Sequence, residues 1–91
     1  MSYRYRATPQ FWKNFHALPA VQKDLAREKF RIFFENPFDP RLRTHKIQSL
    51  SSLLKRTVHA VVIEGDLRAV FYIEGDTVVT FNIGTHDIYK T

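Results

Sequence analysis

The sequence predicts an α+β fold in the order β-α-α-β-β-β, with a helical hairpin packed on a four-stranded, antiparallel-rich, twisted sheet. Three observations carry this prediction. Two stretches with helical apolar period meet at Leu18-Pro19. Three β-rich runs, "TVHAVVI", "LRAVFYI" and "TVVTFNI", are separated only by short turns containing Gly and Asp. The N-terminal "YRYRA" alternates aromatic and basic residues, as a half-buried strand does.

The first strand is expected to set Tyr3, Tyr5 and Ala7 on one face. Thr8-Pro9 then reads as an N-cap followed by proline at the first helical position. Phe11, Phe15 and Leu18, with Trp12 beside them, make a short amphipathic helix. A second helix runs from Pro19 to about Glu35. Its stripe of Val21, Leu25, Ala26, Phe30, Phe33 and Phe34 is wide and apolar. Lys23, Arg27 and Arg31 form a basic line that Asp24 and Glu28 partly offset. Asn36-Pro37 stops the helix.

Phe38 to Arg43 is expected as a loop, and Thr44 to Leu54 as a short strand followed by an irregular turn. The three strands of the meander follow, turned by Gly65-Asp66 and by Glu74-Gly75-Asp76. Strand parity puts Leu67, Ala69, Phe71 and Ile73 on one face and Arg68, Val70 and Tyr72 on the other. The same parity groups Val79, Phe81 and Ile83 as core, and His59 with Val61 and Ile63.

The chain reads as a single domain over residues 1–91. Eight Phe, four Tyr and one Trp give a small domain large apolar areas to bury. Without cysteine it has neither disulfides nor thiolate metal sites. No apolar run approaches a membrane span, and "MSYRYRATPQ" lacks the apolar stretch of a signal peptide. A cytoplasmic protein with no membrane partner is expected. Fourteen Lys and Arg against nine Asp and Glu leave a net charge of +5, which favours nucleic acid or an acidic protein as partner.

The chemistry-bearing residues concentrate in a few places. "IGTHDIY" sets His86, Asp87 and Tyr89 just past the last strand. A histidine there suits proton transfer or, as imidazolium, phosphate binding. Position alone favours the plainer reading, a solvent-exposed histidine after the strand. His45 lies among basic residues that favour an anion, whereas His59 inside its strand reads first as packing and His16 as surface. Asp66 has an ordinary role in the turn. Arg68, inside an apolar strand, either bridges to a carboxylate or faces a cleft where its fork grips phosphate. Tyr89 stacks on a base or closes the domain edge. Arg41, Arg43, Lys46, Lys55 and Arg56 cluster as phosphate candidates. The histidine spacings contain no H-x-x-x-H or H-E-x-x-H, so no metal site is expected.

Three stretches together resemble the RelE/ParE superfamily of bacterial toxins from type II toxin–antitoxin systems. They are "FWKNFHALPAVQKDLAREKFRIFFENP", "HKIQSL" and "GDLRAVFYIEGDTVVTFNIGTHDIY", and they span almost the whole chain. The resemblance implies a RelE-like fold and a toxin that inhibits translation by cutting mRNA on the ribosome, with no metal or other cofactor. The 2′-hydroxyl attacks the adjacent phosphate and the 5′-oxygen leaves. Within the histidine-carrying, YafQ-like branch, His86, His45 and Asp66 match catalytic positions. Lys46, Arg56, Arg68 and Tyr89 would bind RNA and its phosphates. His59 is a further candidate that matches only with a gap. The implied partners are a cognate antitoxin, the ribosome with its mRNA, and operator DNA through the antitoxin complex alone. The same fold would also serve a ParE-like inhibitor of DNA gyrase without nuclease activity, or a degenerate, non-toxic member that only binds antitoxin.

Overall fold

The computed structural model describes residues 2–89. β1 (Arg4–Ala7) leads into α1 (Pro9–His16) and α2 (Ala20–Glu35). A 3₁₀ turn (Pro40–Leu42), β2 (His45–Lys46) and α3 (Gln48–Leu54) follow. β3 (Val58–Glu64), β4 (Leu67–Glu74) and β5 (Thr77–Gly84) form the meander, and a 3₁₀ turn over His86–Tyr89 closes the described chain.

The sheet has five strands rather than the expected four, in the order β1-β5-β4-β3-β2. The short strand after Thr44 supplies the fifth, pairing antiparallel with β3. β1 pairs parallel with β5, and the meander is antiparallel throughout. The irregular turn expected after β2 is instead α3. Its sequence, QSLSSLL, has no side-chain cap and weak helical preference. Tertiary contacts hold it: Leu50 is buried, and the Ser51 hydroxyl accepts from the Val58 amide at 2.9 Å.

The start of the helical hairpin forms as expected. Thr8 caps α1 by accepting from the Phe11 amide at 3.2 Å, an arrangement worth about 1 kcal/mol. The same hydroxyl donates to the Phe81 carbonyl at 3.1 Å, so the cap also ties α1 to β5. The hairpin covers one sheet face, where Phe11, Phe15, Phe30 and Phe33 pack with Val61, Ala69, Phe71 and Ile83. Tyr3, Tyr5 and Ala7 join this core from β1, as the alternation predicts.

A second core lies on the opposite face. Ile47 and Leu50 cover Val58, Ala60 and Val70, and Ile88 and Tyr89 pack against them. The expected parity fails in β5. Its register with β4 shifts between Val70, opposite Asn82, and Phe71, opposite Thr80. Phe81 is the extra residue of a bulge. Ile83 therefore faces the helices, while Phe81 turns to Tyr72 on the second face, 5.6 Å between ring centroids. Val79, opposite Tyr72, lies on that second face too. No helix among the described residues is long and apolar enough to cross a membrane.

Candidate functional site

Two chain reversals meet at one end of the sheet. Gly65, at φ +48°, turns β3 into β4 and presents Asp66 at the tip. β5 ends beside this turn, because Gly84 lies opposite Arg68. The following 3₁₀ turn carries His86 to Asp66, and the imidazole Nδ1 contacts the carboxylate Oδ1. Both side chains stay open to solvent, His86 at 57% and Asp66 at 55%. A substrate can therefore reach the pair.

Gly84 has a different task from the one its position suggests. Its backbone is not in the left-handed region. A Cβ there would lie 2.7 Å from Cγ2 of Ile88. The glycine gives Ile88 room to fold back on the second core, which sets the course of the turn that carries His86. Upstream, the Asn82 carboxamide oxygen accepts from Asn14 at 2.6 Å and from the Ile83 amide at 2.9 Å. This fixes the bulged strand to α1 just before it reaches the site.

Arg68 reaches back to the turn that bears Asp66. Its guanidinium donates to the Gly65 carbonyl and, at 3.3 Å, to the Leu67 carbonyl. It thus meets backbone carbonyls rather than the carboxylate or open cleft expected of it. Its Nε is buried without a hydrogen-bond partner. Tyr89 lies edge-on to His86, with centroids 5.3 Å apart and planes at 75°. Burial raises the Tyr89 phenol above its ordinary value, and the positive charge of Arg68 opposes that rise. His86, Asp66, Arg68 and Tyr89 therefore form one cluster.

The other expected site residues stand apart from it. His45 pairs with Ala60, which pairs with Val70, so it shares their face two strands from β4. That separation is about 10 Å at the usual strand spacing. Its Nδ1 lies 2.8 Å from the Arg43 carbonyl. Lys46 pairs with His59 and so falls on the opposite face from His45. His59 is packed, stacked on Phe71 at 5.5 Å and edge-on to Phe38 at 5.1 Å. Burial lowers its pKa first, then the charges of Lys46 and His45. Arg41 is taken up by Asp39, whose carboxyl this hydrogen-bonded pairing holds at about 2. Arg56 pairs with Glu74 at 2.9 Å, at the far end of β4 from Arg68. Sequence reasoning missed Ile88 and also Tyr72, whose ring lies 4.2 Å beneath the Arg56 guanidinium; the parity of Tyr72 with Arg68 was the available signal.

Among the described residues, no three His, Asp or Glu side chains come together to hold a metal ion. No protein-family model matches the chain, and no curated protein does. Solved structures do match. RelE in the archaeal RelE–RelB complex from Pyrococcus horikoshii aligns at a TM-score of 0.70 and 15% identity, over 93% of this chain and 96% of that one. YafQ from Escherichia coli aligns at 0.71 and 16%, over 99% and 100%. The Escherichia coli DinJ–YafQ toxin–antitoxin complex aligns at 0.75 and 12%, over the whole of both chains. The chain has the RelE/YafQ fold. The expected α+β class, with its helical hairpin on a twisted sheet, is thereby met; the element order is corrected by β2 and α3, which precede the meander.

Proposed function

We propose that this chain is the toxin of a toxin–antitoxin pair and a metal-independent endoribonuclease acting on ribosome-bound mRNA. The observation that carries the reading is the contact between His86 and Asp66 at an open end of the sheet. In-line transfer from the 2′-hydroxyl needs a base at that hydroxyl, an acid at the leaving 5′-oxygen and a cation on the charged phosphorane. Asp66 orients the His86 ring through Nδ1, which leaves Nε2 to accept or deliver the proton. Arg68 holds the turn that carries Asp66, and its charge lies beside the same cluster. Tyr89 presents an aromatic edge for a neighbouring base. His45, on the same sheet face, supplies the second proton-transfer group once RNA bridges the gap. Lys46 is a phosphate ligand from the sheet edge rather than from this face. His59 serves packing.

The antitoxin reading rests on another surface. Tyr5, Phe11, Trp12, Phe15, Phe30 and Phe34 line an open groove of about 410 Å³. Trp12 and Phe34 remain 48% and 57% exposed, which is unusual for large apolar side chains. Arg6, Arg27 and Arg31 border the same groove. That combination fits an acidic amphipathic segment of an antitoxin. Structural neighbours occur in complexes with partner proteins, RelE with RelB and YafQ with DinJ in a toxin–antitoxin complex. Operator DNA would then be reached through the antitoxin.

The test is mRNA cleavage on purified ribosomes, run beside a gyrase supercoiling assay. Cleavage lost in His86→Ala supports the reading. Intact mRNA with inhibited supercoiling overturns it.

A further inference from the structure

The second sheet face carries an aromatic–cation pair that the reacting cluster does not use. The Arg56 guanidinium lies 4.2 Å above the Tyr72 ring centroid. Its NH1 donates to Glu74 at 2.9 Å, which holds the plane over the ring. Phe81 flanks Tyr72 from the bulge of β5. An exposed ion pair adds little to stability by itself, so the arrangement acts chiefly by positioning. The Arg56 side chain keeps 43% of its surface open, which leaves the outer side of the guanidinium to solvent.

We propose that Arg56 and Tyr72 form a stacking platform for one base of a single-stranded RNA, remote from the reacting pair. The proposal rests on RNA being the ligand of the proposed function, whether or not it is cut. Arg68, Tyr72 and Glu74 share a strand face, and six residues at about 3.3 Å each set Arg68 roughly 20 Å from Glu74. A single strand covers that distance in a few nucleotides. RNA seated at His86 and Asp66 can pass over Ile88 and Tyr89, which pack on the core around Val70, and reach Arg56. Guanidinium planes stack on bases, and an aromatic ring beneath the plane strengthens the stack. Arg56 is thus a base-binding residue away from the cleaved bond, and not a ligand of the reacting phosphate.

Fluorescence anisotropy with a labelled 2′-O-methyl RNA dodecamer tests the platform, because the blocked 2′-oxygen removes cleavage from the readout. Arg56→Lys keeps the charge and loses the plane; Tyr72→Leu keeps the apolar body and loses the ring. Each is expected to weaken binding about tenfold while the circular dichroism spectrum stays unchanged. Full binding by Arg56→Lys overturns the proposal, since charge alone then suffices. Weakened binding in the variants of a parent protein that cuts no mRNA supports the platform and sinks the nuclease reading. A parent protein that binds no RNA overturns the platform, while the nuclease reading is decided by the ribosome assay alone.

Discussion

His86 and Asp66 lie in separate chain reversals, yet the imidazole Nδ1 meets the carboxylate directly at the end of the sheet. The contact defines the orientation of the ring, so it can be tested without emptying the site. Asp66→Asn keeps the size of the side chain, but its amide can hold the ring in the other tautomer. Cleavage is expected to fall by about 10²- to 10⁴-fold with little change in melting temperature. Unchanged cleavage in Asp66→Asn would remove the pair from the mechanism.

Gly84→Ala tests how the site is aimed. The new methyl group would crowd Cγ2 of Ile88, 2.7 Å from the ideal Cβ position. Overpacking of this kind costs about 1–3 kcal/mol. Because Ile88 belongs to the turn bearing His86, activity should fall more than stability does. Removing the β-branch at residue 88 takes away the crowded methyl, so Ile88→Leu in the Gly84→Ala background is expected to restore part of the cleavage rate. If the double variant is no better than the single one, Ile88 is not what the glycine accommodates.

His59 makes stability depend on pH. Its folded-state pKa lies below the ordinary imidazole value of about 6.5, lowered by burial and then by the charges of Lys46 and His45. Below that value the unfolded chain takes up the proton before the folded one does. Stability attributable to His59 is therefore complete above about pH 6.5 and is lost as pH falls toward and through the folded-state value. Denaturant titrations should show this slope in the parent protein and a flatter one in His59→Leu. Equal slopes would mean that His59 is not the group responsible.

The groove makes a prediction for association. Reversing two cations of its border, Arg27→Glu with Arg31→Glu, should weaken binding of the proposed antitoxin by at least about tenfold. The loss should arise mainly in the association rate and shrink at high salt. Binding that ignores both charges would place the antitoxin elsewhere.

Much of this architecture is legible in the sequence because local and tertiary preferences agree. Thr8-Pro9 caps a helix wherever it stands, and Gly65 and Gly75 supply the positive φ values that the hairpin turns require. The turn that carries Asp66 could be placed for the same reason. α3 was hidden because its three serines resist a helix in isolation and only contact with Val58 and the second core secures it. The β5 bulge left no mark in "TVVTFNI", so strand parity misassigned Val79 and Phe81. Arg56 and Lys46 looked close to the histidines along the chain. Strand direction carried Arg56 to the far end of β4, and one residue of pleat turned Lys46 to the other face. The fork of Arg68 was readable, but not that it would grip the carbonyls of the turn beside it.

The central claim is that His86 and Asp66 form the reacting pair of a ribonuclease. Its most direct test is to map and chemically identify the mRNA ends left on programmed ribosomes by the parent protein and by His86→Ala. Upstream fragments should end in a 2′,3′-cyclic phosphate and downstream fragments begin with a 5′-hydroxyl, both absent with His86→Ala. Equal cleavage by the variant, or fragments carrying a 5′-phosphate, would contradict the claim.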